Sequence, residues 1–169
     1  LIHDKEITYH QSGETKSTVI YEAGKKQGLQ VYYDEYGDED YSILWENDLK
    51  KERRIALVIG NANYEEGDEL LNPVNDARLI KESLEKLDFK VYDHYNLTSR
   101  DSMSAAINEF GLKREDYDVA FIYYAGHGVQ LDNKNYLLPT KEEFNNKFDV
   151  QDKAIPMQNI LRFLESGRN

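Results

Sequence analysis

In the stretch "YYAGHG", His127 stands between Gly126 and Gly128, directly after the apolar run Val119 to Ala125. Flanking glycines let the main chain approach a ligand closely and adopt positive φ. An imidazole at the end of a buried strand can serve as a general base, and the N–H of Gly128 beside it can donate to an oxyanion. The same placement suits a structural histidine bonded to a loop carbonyl, and the residues alone leave both roles open. No cysteine occurs in the sequence, so the partner that such a base would deprotonate in a thiol enzyme is not among these residues. The same absence removes a disulfide framework and a thiolate metal site.

A site of this kind needs strands to carry it. From Arg53 onward, "RIALVIG" is a continuous apolar strand, followed by a polar turn and a helical pattern at Ala77, Ile80, Leu84 and Leu87. A second strand is expected at Phe89 to Tyr95 and a second helix at Ser99 to Leu112. The third strand, "DVAFIYYAG", is apolar on both faces and is expected in the middle of a sheet. A last helix spans Met157 to Glu165, with Ile160, Leu161 and Leu164 on one side. Strands alternating with helices imply parallel crossovers and an α/β fold, a three-layer sandwich. In such sheets the working loops follow the carboxyl ends of the central strands, which selects "NANYEEGDELLNPVND" and "GHGVQLDNKNYLLP".

The first fifty residues follow a different grammar. Tyr9, Gly13, Val19, Ile20, Tyr21 and Glu22 are echoed by Tyr33, Gly37, Ile43, Leu44, Trp45 and Glu46. A period in this range marks an array of one supersecondary unit. Aromatic and β-branched residues run up to turns around Gly13, Gly24, Gly28 or Gly37, the pattern of short antiparallel strands joined by hairpins. The domain division is thus residues 1–50 as a β-hairpin repeat segment and 53–169 as the α/β domain.

Composition narrows the classes. The formal charge is −11, with 32 acidic against 21 basic residues, which argues against nucleic acid and for cationic partners. The longest apolar run is far shorter than the roughly 20 residues of a membrane helix, so no membrane span is expected. The chain opens at Leu1 rather than Met, which points to a processed or excised piece and leaves the compartment open.

Two resemblances follow from these residues. The run "VIYEAGKKQGLQVYYDEYGDEDYSILWENDLKK" resembles variant MORN repeats, implying a docking, sensing or spacing segment. The elements "RIALVIGNANY", "LLNPVNDARLIKESLEKLDFKV", "YYAGHG", "NYLLP" and "IPMQNILRFLE", in that order, resemble the large-subunit half of a caspase-like cysteine peptidase of the paracaspase and metacaspase type. That resemblance implies that His127 is the base of a Cys-His dyad and that Gly128 N–H belongs to the oxyanion hole. It implies an endopeptidase that cuts after Arg or Lys, with Asp76 at the start of the first helix helping to hold the basic side chain; an Asp there also stabilises a helix N-terminus. Caspase-type nucleophiles follow their histidine by roughly 50 residues. The cysteine is therefore expected beyond Asn169, in an Asp-x-Cys context, on the remaining part of the peptidase domain, and the chain alone is expected to be inactive.

The alternative is a pseudopeptidase acting as an interaction scaffold. The acidic group Glu65, Glu66, Asp68 and Glu69 lacks the spacing of a calcium loop and reads as solvated, although some metacaspases require Ca²⁺. His3, His10 and His94 show no metal-ligand spacing, so neither metal nor cofactor is expected. "VIGNAN" has one glycine where a dinucleotide site wants three.

Overall fold

A computed structural model describes residues 3–65 and 68–165. The chain divides into two compact units, Leu1–Arg53 and Arg54–Asn169. Strands β1 (His3–Tyr9), β2 (Thr15–Glu22), β3 (Lys25–Tyr33), β4 (Glu39–Glu46) and β5 (Leu49–Lys51) form an antiparallel meander in the first unit, each paired with the next.

The 24-residue echo in the sequence is an echo of turns. Gly13 (φ 94°) closes the β1–β2 turn through its N–H to His10 O, and Gly37 (φ 91°) closes the β3–β4 turn through its N–H to Asp34 O. Ala23 and Gly24, and then Asn47 and Asp48, all take positive φ in two-residue hairpin turns. Gly28 is not a turn residue: it lies inside β3 at φ 75°, facing a stretch of β2 where the register shifts between Thr18 and Ile20. Packing centres on buried Val19 and on Gln30, whose Oε1 accepts from Trp45 Nε1 at 3.0 Å and from Lys26 Nζ at 3.3 Å.

The second unit opens with β6 (Arg54–Gly60), followed by α1 (Pro73–Glu85), β7 (Phe89–Tyr95), α2 (Arg100–Arg114) and β8 (Val119–Ala125). The hairpin β9 (Gly128–Leu131) and β10 (Lys134–Leu137) comes next, then α3 (Lys147–Lys153), β11 (Ile155–Pro156) and α4 (Met157–Glu165). β6 is the centre of a parallel sheet of order β7-β6-β8. Its alternating side chains build two cores. Ile55, Leu57 and Ile59 pack with Met103, Ile107 and Phe110 of α2 and Ile160 of α4, whereas Ala56 and Val58 pack with Ala77 and Leu84 of α1. A strand buried on both faces with helices on each side is a three-layer α/β sandwich.

Local signals set the helix ends. Pro73 sits in the first turn of α1, and Asp88 at φ 61° turns the chain into β7. Ser99 caps α2 in a capping box with Ser102. Gly111 lies where any Cβ would collide with the Phe163 ring, so its lack of a side chain brings α4 onto α2.

Three further expectations differ from the structure. β8 lies at an edge of the three strands rather than in their middle, and β6 takes the centre because it alone is buried along nearly its whole length. Leu161 is exposed, and Phe163 takes its place beside Ile160 in the core. Leu87 lies beyond the end of α1 and is exposed as well. Among the described residues no helix is long and apolar enough to cross a membrane.

Candidate active site

β6 and β8 run in parallel register from Arg54↔Val119 to Gly60↔Ala125, so the loops that follow them emerge side by side. Gly126 and His127 link β8 to the β9–β10 hairpin, whose tip Asp132–Asn133 takes positive φ at both residues, as a tight hairpin turn requires. The main chain of His127 is held on both sides. Its N–H donates to Tyr64 Oη at 2.7 Å, and its carbonyl accepts from Tyr124 Oη at 2.8 Å and from Leu138 N–H at 3.0 Å.

The flanking glycines serve sterics, not unusual torsion. Neither Gly126 nor Gly128 has positive φ, contrary to the reading from sequence. A Cβ on residue 126 would stand 2.6 Å from both the Tyr64 and Tyr124 hydroxyl oxygens, and one on residue 128 would stand 3.2 Å from Tyr136 O. Glycine at 126 therefore gives the two phenols access to the main chain.

The loop after β6 is fixed by two asparagines. Asn61, fully buried, accepts from Leu97 N–H at 3.0 Å and donates to Leu138 O at 3.2 Å. Asn96 Oδ1 accepts from the N–H groups of Ala62 and Asn63. This framework delivers Tyr64 to His127, and its ring centroid lies 4.4 Å from that of the imidazole at an interplanar angle of 59°. Burial pushes the Tyr64 phenol above its ordinary range, partly offset by hydrogen bonds from Tyr124 and the His127 main chain. Burial raises Tyr124 much further, with the neighbouring Tyr64 adding to it. Both remain neutral hydroxyls.

His127 Nε2 lies 2.7 Å from the main-chain carbonyl oxygen of Asp68. A carbonyl only accepts, so Nε2 is the donor in this contact, and a neutral ring would carry its lone pair on Nδ1. The carbonyl bond foreseen for a structural histidine is thus present, and it leaves the second nitrogen available.

His127 and Gly128 line a cavity of about 420 Å³ with Tyr64, Leu138 and Thr140. Four acidic residues, Glu65, Asp68, Glu142 and Glu143, are among its lining residues, Phe144 and Asn145 complete it, and no Lys or Arg lines it among the described residues. Asp76 is elsewhere. It lies exposed in the first turn of α1, its N–H donating to Asn72 O at 2.9 Å, and it does not line the cavity. Glu66 and the side chain of His3 fall outside the described residues; Glu65, Asp68 and Glu69 are exposed. Among the described residues no group of three or more His, Asp or Glu is placed to hold a metal ion.

Sequence reasoning passed over Tyr64, Tyr124, Asn61, Glu142 and Glu143. The available signal was polarity directly after a buried strand: "NANY" follows β6, and "KEEF" follows the hairpin in a loop that the fold turns back toward His127.

The profile of the family described as Caspase domain matches residues 53–165. The chain is 33% identical over 119 residues to human mucosa-associated lymphoid tissue lymphoma translocation protein 1, and 32% identical over 119 residues to the mouse homolog. Each alignment covers 69% of this chain and 14% of the relative. Caspase-1-B of Xenopus laevis is 31% identical over 98 residues, covering 57% of this chain and 25% of that protein. The chain thus spans about one seventh of the first two relatives. The family match leaves the β-hairpin repeat segment outside it.

Proposed function

The chain belongs to the caspase-domain family, and from that premise we propose that it supplies the base and part of the oxyanion site of a cysteine endopeptidase selective for basic residues. The observation that carries this reading is the state of His127. Its Nε2 is tied to the Asp68 carbonyl, which leaves Nδ1 as the proton acceptor of a ring in the cavity wall.

The nucleophile is a cysteine on polypeptide outside these 169 residues. The outer edge of β8 carries no strand among the described residues, and β8 ends at the loop bearing His127. A strand added there would deliver a side chain from its own carboxyl end beside the imidazole.

Nδ1 takes the thiol proton, and the thiolate attacks the scissile carbonyl carbon; the oxygen that gains the electron pair accepts from Gly128 N–H. Collapse breaks the C–N bond, and the imidazolium protonates the departing amine. Water, deprotonated by the same nitrogen, hydrolyses the thioester and restores the thiol. A free thiol is only a few per cent ionised at neutral pH, so an adjacent base is needed.

Selectivity for Arg or Lys is supported by the acidic wall of Glu65, Asp68, Glu142 and Glu143, where a guanidinium would meet charge-assisted acceptors. Asp76 is retained as a further acidic determinant, reached by a substrate that extends past the cavity. The test is hydrolysis of peptides ending in Arg, by a polypeptide carrying this sequence with its cysteine, assayed with and without Ca²⁺. Cleavage after Arg that needs the cysteine supports the reading. A polypeptide that binds such peptides and never cuts them is the scaffold instead.

A further inference from the structure

Resting on His127 as the base, we propose that Tyr64 is a positioning residue for it, fixing the imidazole through two separable contacts: its hydroxyl holds the His127 main chain, and its ring backs the imidazole.

The geometry separates these roles. The hydroxyl oxygen accepts the His127 N–H at 2.7 Å, and its own proton is directed to Leu138 O or Tyr124 Oη, both at 3.2 Å. Tyr124 in turn donates to His127 O at 2.8 Å or Leu138 O at 3.0 Å. His127 therefore hangs between two phenols, one on its N–H and one on its carbonyl. The ring of Tyr64 packs tilted against the imidazole, with centroids 4.4 Å apart and the planes at 59°. Opposing displacement, the Asp68 carbonyl holds Nε2, and Asp68 lies four residues beyond Tyr64 in the same loop. One loop thus grips both the backbone and the ring of the histidine.

Tyr64 is fit for this task because it cannot itself move easily. It is 7% exposed, and the loop before it is pinned by Asn96. Gly126 leaves the space through which the hydroxyl reaches the main chain. Tyr64 never needs to give or take a proton from substrate, so its effect falls on the orientation and tautomer of His127.

The test begins with hydrogen exchange and imidazole nitrogen spectra of the ¹⁵N-labelled 169-residue chain. The His127 amide of the unaltered chain is expected to exchange about 10-fold or more slowly than that of an unbonded loop amide, with the Nε2-protonated tautomer dominant. Tyr64→Phe keeps the ring and drops the acceptor. It should speed exchange at His127 about 10-fold or more and mix the tautomers, while Tyr64→Leu should broaden the ring signals as well. In the cysteine-bearing polypeptide, Tyr64→Phe should lower kcat about 10-fold with KM within about twofold, because the cavity wall is kept. Unprotected exchange at His127 in the unaltered chain overturns the proposal even if the variants fail to fold. So does a folded Tyr64→Phe chain with unchanged exchange and tautomer. A His127→Ala enzyme that still turns over would instead overturn the base assignment, independently of the spectra.

Discussion

His127 Nε2 and the carbonyl oxygen of Asp68 stand 2.7 Å apart although 59 residues separate them in the chain. The contact joins the loop after β6 to the loop after β8, the two loops that leave the same end of the parallel sheet. Because a carbonyl only accepts, Nε2 is the donor in this contact, and a neutral ring would then carry its lone pair on Nδ1.

Gly126→Ala is expected to act through sterics. The new methyl would meet the Tyr64 and Tyr124 hydroxyls at 2.6 Å, so both phenols must withdraw from the His127 main chain. Activity of the cysteine-bearing polypeptide should fall by about 10-fold or more. Gly128→Ala meets only Tyr136 O at 3.2 Å and should cost less. Steady-state kinetics on the two variants checks the order.

Asn61→Ala removes a fully buried side chain that satisfies Leu97 N–H and contributes to Leu138 O. Leu138 O keeps its tyrosine donors, so the orphaned Leu97 N–H dominates the cost. A loss of about 1–3 kcal/mol is expected, read as faster amide exchange along β6 in denaturant.

If the proposed selectivity holds, the acidic lining residues and Asp76 should make separable contributions to it. Glu142→Gln with Glu143→Gln should lower kcat/KM for Arg peptides by about 10-fold while leaving neutral peptides nearly unchanged. Asp76→Asn should lower it as well if substrates reach the first turn of α1. Parallel kcat/KM measurements on Arg and neutral peptides resolve the two.

Acid sensitivity should have an identifiable source on the α1 side of the sheet. Burial would raise the Asp93 carboxyl, but Lys81 Nζ at 2.9 Å, with the Tyr95 hydroxyl and the Lys81 charge, brings it below the ordinary aspartate value. A lowered folded value means that the pair's contribution is complete above about pH 4 and is lost as pH falls through the folded value. Both groups are partly solvated, which limits the contribution to less than about 1 kcal/mol. Asp93→Asn should lower Tm near neutrality by at most about 3 °C and flatten its decline in acid.

Strand and helix positions in the second unit were legible because apolar periodicity and caps are local. "RIALVIG", Phe89 to Tyr95 and Met157 to Glu165 emerge as β6, β7 and α4. The repeat of Gly13 at Gly37 was readable for the same reason, since turns impose φ on single residues, whereas the matching turn at Asn47 and Asp48 has no glycine to mark it. The position of His127 in the loop after β8 was legible from the apolar run before it, although the reason for Gly126 was not. Its lost Cβ answers to Tyr64, far away in sequence, and no local pattern records that contact. Glu142 and Glu143 were hidden likewise, because only the β9–β10 hairpin and β11 turn their loop back toward the histidine.

The most direct test of the central claim is cleavage of paired fluorogenic peptides ending in Arg or Asp by a polypeptide carrying this sequence with its cysteine, beside the His127→Ala variant. The account predicts Arg-directed cleavage that falls by about 10²–10⁴-fold in the variant. Cleavage that survives within a few-fold in His127→Ala, or that prefers the Asp peptide, would contradict it.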